Sequence, residues 1–147
     1  LQGITISLDT NWAPEGNWKK VREILHYVNI FLPNEEEAKR ISGKENLEAA
    51  GKWLAQHCDL VVVKCGANGV SVFQKDRLQT FSIPAQLTEN LAIADTTGAG
   101  DNFDAGFLIA WLSGKSLEDC VHLGMRCGTA SLRAIGGIAG QIYDTIV

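Results

Sequence analysis

The run Leu60-Val61-Val62-Val63-Lys64 limits the possible folds more than any other segment of the chain. It is too short for a helix, and it lacks the alternation of a strand with one wet face. It reads as a strand buried on both faces. A sheet holding such a strand needs helices on each side, and the rest of the chain alternates strand-like and helix-like segments in that way.

Residues 4–8 alternate with β-branched members and predict a strand, followed by a loop over 9–16 with Pro14 and Gly16. Asn17 caps a helix over about 17–28, with Trp18, Val21, Leu25 and Val28 on one face. A short apolar strand over 29–32 ends at Pro33. Helices follow over 34–42, stopped by Gly43, and over about 46–57. After the Val-rich strand, the turn Gly66-Ala67-Asn68-Gly69 leads into strands over 70–74 and 78–83, joined by Lys75-Asp76-Arg77. Residues 91–94 predict a short strand, residues 100–112 a helix, and Ser116 caps a last helix through about Ala134, ended by Gly136, Gly137 and Gly140. The expected fold is α/β: three α/β/α layers around a mostly parallel sheet. In such sheets ligands bind beyond the carboxyl ends of the strands. Asn34, Gly66 and Gly98 all follow predicted strands, so they are expected to converge at one rim.

Composition narrows the function. The 147 residues are 46% hydrophobic and 20% charged, with net charge −4, which gives no basic footprint for nucleic acid. No apolar run reaches membrane-spanning length. Leu1-Gln2-Gly3-Ile4 lacks the basic region and cleavage site of a signal peptide. Cys58, Cys65, Cys120 and Cys127 form no C-x-x-C pair, and reduced thiols in a cytoplasmic protein are expected. Cys120 and Cys127 share a helix face as small buried hydrophobes. His26, His57 and His122 are expected at surfaces or helix ends.

The chemistry is concentrated in Asp95-Thr96-Thr97-Gly98-Ala99-Gly100-Asp101-Asn102-Phe103-Asp104-Ala105-Gly106. A glycine-rich turn runs straight into an apolar helix, so free backbone N–H groups face outward and suit an anion. Asp101 sits beside them, where a carboxylate can act as a base. Taken alone, the glycines can equally be turn residues and Asp101 a first-turn acid that complements the helix dipole.

The stretch resembles the second signature of the PfkB (ribokinase-like) carbohydrate kinases, D-T-x-G-A-G-D-x-F-x-x-G. Asn102 departs slightly, because the family usually has a small residue or threonine there. The resemblance implies transfer of the ATP γ-phosphoryl group to a sugar hydroxymethyl, with Asp101 as general base and Gly98, Ala99, Gly100 and Asp101 as the anion hole.

Other segments extend the resemblance. Asn34-Glu35-Glu36-Glu37 is a capping-box start. It also resembles the family's N-x-x-E motif, which implies that Asn34 and Glu37 help hold Mg²⁺ through water. Lys64-Cys65-Gly66-Ala67-Asn68-Gly69 resembles the strand end that passes the ATP phosphates, with Lys64, Gly66, Gly69, Thr96 and Gly128 on the nucleotide side. Lys64 either reaches a phosphate or stands in water at a strand end. Asp9-Thr10-Asn11-Trp12, with Trp18, resembles the D-x-N strand end of several sugar kinases, with Ala13 where an arginine often stands. Gly128-Thr129-Ala130-Ser131 and Gly136 resemble the region that flanks adenine and completes a monovalent-cation loop. Met125 stands where many members have asparagine. Asp95 and Thr97 resemble the other end of that loop, which implies a K⁺-like ion.

The match is to the C-terminal, nucleotide-binding part of such a kinase. The family's first glycine signature, most sugar contacts and its lid are absent from these residues. The expectation is a fragment of a larger enzyme or a domain completed by another chain, with an open edge at residues 4–8 that favours self-association. A nucleotide-binding module without catalysis is the alternative reading. A dinucleotide oxidoreductase fails because the third glycine of G-x-G-x-x-G falls at Phe103, and a P-loop NTPase fails for lack of G-K-[ST].

Overall fold

The computed structural model describes residues 3–10, 16–75 and 77–142. Leu1, Gln2, Asn11, Trp12, Ala13, Pro14 and Asp76, all named above, lie outside the described residues. The chain divides into two compact units, Leu1–Phe81 and Ser82–Val147.

The first unit holds a five-stranded sheet in the order β1 (Ser7–Leu8), β2 (Ile30–Phe31), β3 (Leu60–Lys64), β4 (Val70–Gln74) and β5 (Arg77–Phe81). β1, β2 and β3 run parallel, and β4 and β5 add an antiparallel hairpin at one edge. The register pairs Ile30 with Leu60 and Val61 with Phe73. Helices α1 (Trp18–Ile24), α2 (Glu35–Ser42) and α3 (Leu47–Leu54) connect the parallel strands. Phe31, Val61, Val63 and Phe73 from the sheet share one core cluster with Leu25, Ala38, Ile41, Ala50 and Leu54. The alternate side chains Ile30, Leu60, Val62 and Val72 are also at most 2% exposed, so the central strands β2, β3 and β4 are buried on both faces, as the Val-rich run requires.

Several boundaries differ from the pattern. The strand expected over 4–8 narrows to Ser7–Leu8 because its start is held by a side chain: Ile6 N–H donates to Asn29 Oδ1 at 3.0 Å. The helix expected over 17–28 ends at Ile24 and tightens into a 3₁₀ turn, Leu25–Tyr27, whose last bond is Val28 N–H to Leu25 O at 2.9 Å. Asn17 makes no side-chain cap bond. α3 stops at Leu54, and its continuation to His57 is a looser turn with bonds such as His57 N–H to Leu54 O. β5 ends at Phe81, where its pairing with Val70 ends.

The second unit holds α4 (Ala85–Thr88), absent from the sequence expectation, with α5 (Ala99–Leu112) and α6 (Leu117–Ser131). Ser116 caps α6, its hydroxyl accepting from Asp119 N–H at 3.1 Å. α5 and α6 pack closely: a Cβ on Gly124 would lie 2.8 Å from the Phe103 ring, and one on Gly128 3.0 Å from Ala99 O. Residues 91–94 are not a strand. They lie in a loop whose Ala94 N–H donates to Leu132 O at 2.8 Å, so its bonding goes to the end of α6 rather than to a ladder.

Candidate functional site

Two clusters carry the residues singled out above, one in each unit. In the first, β2 delivers the chain to Asn34, which caps α2. Asn34 Oδ1 accepts from Glu37 N–H at 2.9 Å, and Asn34 N–H donates to Glu37 Oε2 at 2.9 Å, a complete capping box. Asn34 also bridges to Lys64 at the end of β3. Asn34, Glu35, Glu36, Lys64, Cys65 and Gly66 therefore line one open cleft of about 360 Å³. The expected meeting of Asn34 with Gly66 is observed within this unit, and Gly98 lies in the second unit.

Lys64 is neither a solvated strand end nor a free cation. Its ammonium lies 3.2 Å from Asp9 Oδ1, with the side chain 13% exposed. Glu37 is buried at 3% exposure. Burial pushes its carboxyl above the usual range, opposed by the Asn34 N–H and by the Lys64 charge. Beyond β3 the chain turns through Gly66–Asn68, closed by Cys65 N–H to Gly69 O at 2.8 Å, and Gly69 is buried there.

In the second unit, Gly98 caps α5 in the left-handed conformation, φ 74°. A side chain there is strained, and its Cβ would lie 2.7 Å from Gly137 Cα. The first-turn N–H groups of Gly100 and Asp101 have no acceptor within the helix by its geometry, and Ala99 N–H makes a long bond of 3.3 Å to Thr96 O. The Asp101 side chain is exposed in that first turn. Asp95 closes the turn from the other side. Its Oδ1 accepts from Thr97 N–H at 2.9 Å and Thr97 hydroxyl at 2.8 Å, and its Oδ2 from Gly136 N–H at 2.9 Å. The Thr97 N–H first, then the Gly136 N–H, hold its carboxyl down at about 2. Thr96 is exposed, whereas Gly128 is buried against the first turn of α5.

Asn102 is the residue that the motif pattern did not mark. It is 5% exposed, and its Nδ2 donates to Gly98 O at 2.8 Å and Gly137 O at 2.9 Å. The sequence shows it only as a departure from the family pattern, because the second partner lies 35 residues on.

The cation sites implied by the resemblance can be tested against these donors. Asn34 Oδ1 and Glu37 Oε2 are committed to the capping box, and the other Glu37 oxygen lies outside it, so the pair fits Mg²⁺ held through water. The low Asp95 carboxyl fits a hard monovalent cation with oxygen ligands, although both its oxygens already accept bonds. Among the described residues no three His, Cys, Asp or Glu are grouped to hold a metal directly, and no helix is long and apolar enough to cross a membrane.

The chain is similar to known proteins over nearly its whole length. It is 34% identical over 141 residues to a cytidine kinase of Thermococcus kodakarensis, covering 92% of this chain and 50% of that protein. The Thermotoga maritima ribokinase structure superposes with TM-score 0.78 at 28% identity, covering 94% of this chain and 46% of that one. An Arabidopsis thaliana ribokinase complexed with ribose and ATP superposes with TM-score 0.76 at 28% identity, covering 95% and 45%. The chain thus spans about half the length of these relatives. The pfkB family carbohydrate kinase model matches residues 2–142, and the chain belongs to that family.

Proposed function

We propose that this chain supplies the phosphoryl-donor side and the base of an ATP-dependent kinase acting on a hydroxymethyl group of a sugar or nucleoside. One observation carries the reading: Gly98, left-handed at the cap of a 14-residue helix, turns first-turn N–H groups outward beside the exposed Asp101. The acceptor hydroxyl attacks the γ-phosphorus, its proton passes to the Asp101 carboxylate, and the bond from phosphorus to the ADP oxygen breaks. The N–H groups of Gly100 and Asp101, with that of Ala99, stabilise charge on the moving phosphoryl group. Lys64, Gly66 and Gly69 lie on the nucleotide side of this scheme, with Thr96 and Gly128 beside the second turn. Mg²⁺, when bound near Asn34 and Glu37, neutralises phosphate charge, and a K⁺-like ion at Asp95 and Thr97 would rigidify the turn.

The chain spans only about half the length of its relatives, and on the resemblance of its Asp95–Gly106 motif we assign it the C-terminal, nucleotide-binding part of the kinase. The acceptor side comes from residues outside these 147, in the same polypeptide or a complementing chain. The open edge of β1 suits such a partner or a second copy. Ile6 O accepts from the Ile30 N–H and Leu8 O from the Leu32 N–H, and among the described residues β1 has no other neighbour in the sheet. The four free cysteines accord with a reducing, cytoplasmic setting.

The test is sugar-dependent ADP release by the full-length protein. Asp101→Asn is expected to lower turnover roughly 10²–10⁴-fold. Near wild-type turnover would remove the base assignment. ATP binding by the 147-residue chain without turnover would leave it a nucleotide-binding module when alone.

A further inference from the structure

Gly98 and Ala99 share one planar peptide, so the direction of the Gly98 carbonyl fixes that of the Ala99 N–H on its far side. A glycine with φ 74° tolerates rotation of that peptide more readily than any other residue. In this chain the carbonyl is held twice from one residue. Asn102 N–H donates to Gly98 O at 2.9 Å, as the helix ladder requires, and Asn102 Nδ2 donates to the same oxygen at 2.8 Å. The second amide hydrogen of Nδ2 reaches Gly137 O at 2.9 Å. The turn is thereby clipped to the 136–137 loop at both ends, by Asn102 to Gly137 and by Asp95 to Gly136. Between the clips, a Cβ on Gly98 would lie 2.7 Å from Gly137 Cα, whereas one on Gly137 would meet Gly98 Cα at an ordinary 3.4 Å.

A side-chain amide is an unfavourable choice for a helix interior, because it competes for backbone groups. Here that competition is aimed at the one carbonyl whose direction sets the anion hole. An aliphatic side chain would fill the same buried space but leave that carbonyl held once, by the backbone N–H alone, and the 136–137 loop unclipped from this side.

We infer that Asn102 is a positioning residue for phosphoryl transfer: its amide pins the Gly98–Ala99 peptide and the 136–137 loop, so that the first turn of α5 keeps the open Gly100 and Asp101 N–H groups directed at the reacting phosphate. The inference rests on the kinase reading given above. It assigns Asn102 no contact with substrate.

The test compares Asn102→Ala, Asn102→Thr and Asp101→Asn in the full-length protein. Turnover is expressed per nucleotide-binding site, counted by stoichiometric ATP titration. Asn102→Ala is expected to lower kcat about 10- to 100-fold, the scale of a misplaced catalytic group, with KM for ATP changed less than about threefold. Asn102→Thr, whose hydroxyl reaches the carbonyl four residues back but not Gly137, is expected to fall between Asn102→Ala and wild type. An unchanged kcat in Asn102→Ala overturns the inference. So does a loss matched by a loss of binding sites, which would mark a purely structural role. If Asn102→Ala does not fold, Asn102→Thr decides: wild-type kcat per site overturns the inference and a partial loss supports it. Asp101→Asn separates the two readings. Its collapse with intact Asn102→Ala turnover sinks the positioning role alone, and its persistence removes the base assignment on which the inference rests.

Discussion

At the start of α2, side chains hold backbone N–H groups. Asn34 and Glu37 exchange two hydrogen bonds, and Lys64 pairs with Asp9 across the strand ends. At the start of α5, the backbone is shaped instead. A left-handed Gly98 turns the chain, Gly137 presses against it, and Asp95 and Asn102 clamp the flanks. Both are helix N-termini, yet the first has its Asn34 and Glu37 N–H groups taken up by a capping box with a buried acid, while the second has no side-chain cap and an acid in solvent. The difference separates support from chemistry. An N-terminus that caps itself is stable and chemically quiet, whereas one left open at a glycine turn can bind an anion, at a cost in local stability.

The contrast implies different sensitivities, the largest at Asp101. Because that side chain is exposed and outside any packed cluster, Asp101→Asn is expected to lower turnover by the roughly 10²–10⁴-fold stated above while changing unfolding free energy by less than about 0.5 kcal/mol. Chemical denaturation beside the ADP-release assay checks both. A stability loss as large as the kinetic one would make Asp101 a structural acid and erase the distinction.

Gly98→Ala comes next and is expected to damage both properties. The new methyl group meets Gly137 Cα at 2.7 Å in a left-handed backbone. A loss of about 2–3 kcal/mol is expected by denaturation, with turnover falling as well. Wild-type stability in that variant would mean that the turn relaxes freely and does not pre-form an anion hole.

At the first helix the expected effects on stability are smaller. Asn34→Ala removes one cap acceptor, for about 1 kcal/mol. Glu37→Ala removes its partner in the box and a buried neighbour of Lys64, for about 1–2 kcal/mol. Equal losses from the two single variants and the double variant would show that the box acts as one unit, and additive losses would show that it does not.

How much of this was legible in the sequence follows the range of the interactions. β3 and β4 match their expected bounds because a continuous apolar run and a glycine turn are local signals. α2 matches because Asn34 and Gly43 punctuate it within ten residues. Residues 91–94 look like a strand by composition, but a strand is defined by its partner, and theirs is the end of α6. The same limit hides the Asn102 clip and the Lys64–Asp9 pair, whose partners are far along the chain. The Asp95–Gly106 motif was legible as a turn with an acid. That Asp95 secures the turn from its far side through Gly136 is information only the fold holds.

The smallest expected effect is also the most direct comparison of the two regions, because their carboxylates respond to acid in opposite senses. Asp95 is held down at about 2 from an ordinary 3.8 by the N–H groups of Thr97 and Gly136. A depressed carboxyl binds protons less readily in the folded chain than in the unfolded one. Its stabilisation is complete above 3.8 and is lost as pH falls through about 2. Glu37 is pushed up from 4.5 by burial, so it contributes in full below 4.5 and its contribution is lost as pH rises through the elevated value. Unfolding free energies measured against pH should therefore lose part of their acid decline in Asp95→Asn and part of their decline above 4.5 in Glu37→Gln. If Asp95→Asn keeps the full acid decline, the clip to Gly136 is absent in solution. If Glu37→Gln leaves the slope above 4.5 unchanged, the Lys64 charge outweighs burial, and the start of α2 is an ionised site held open for a cation rather than a closed cap.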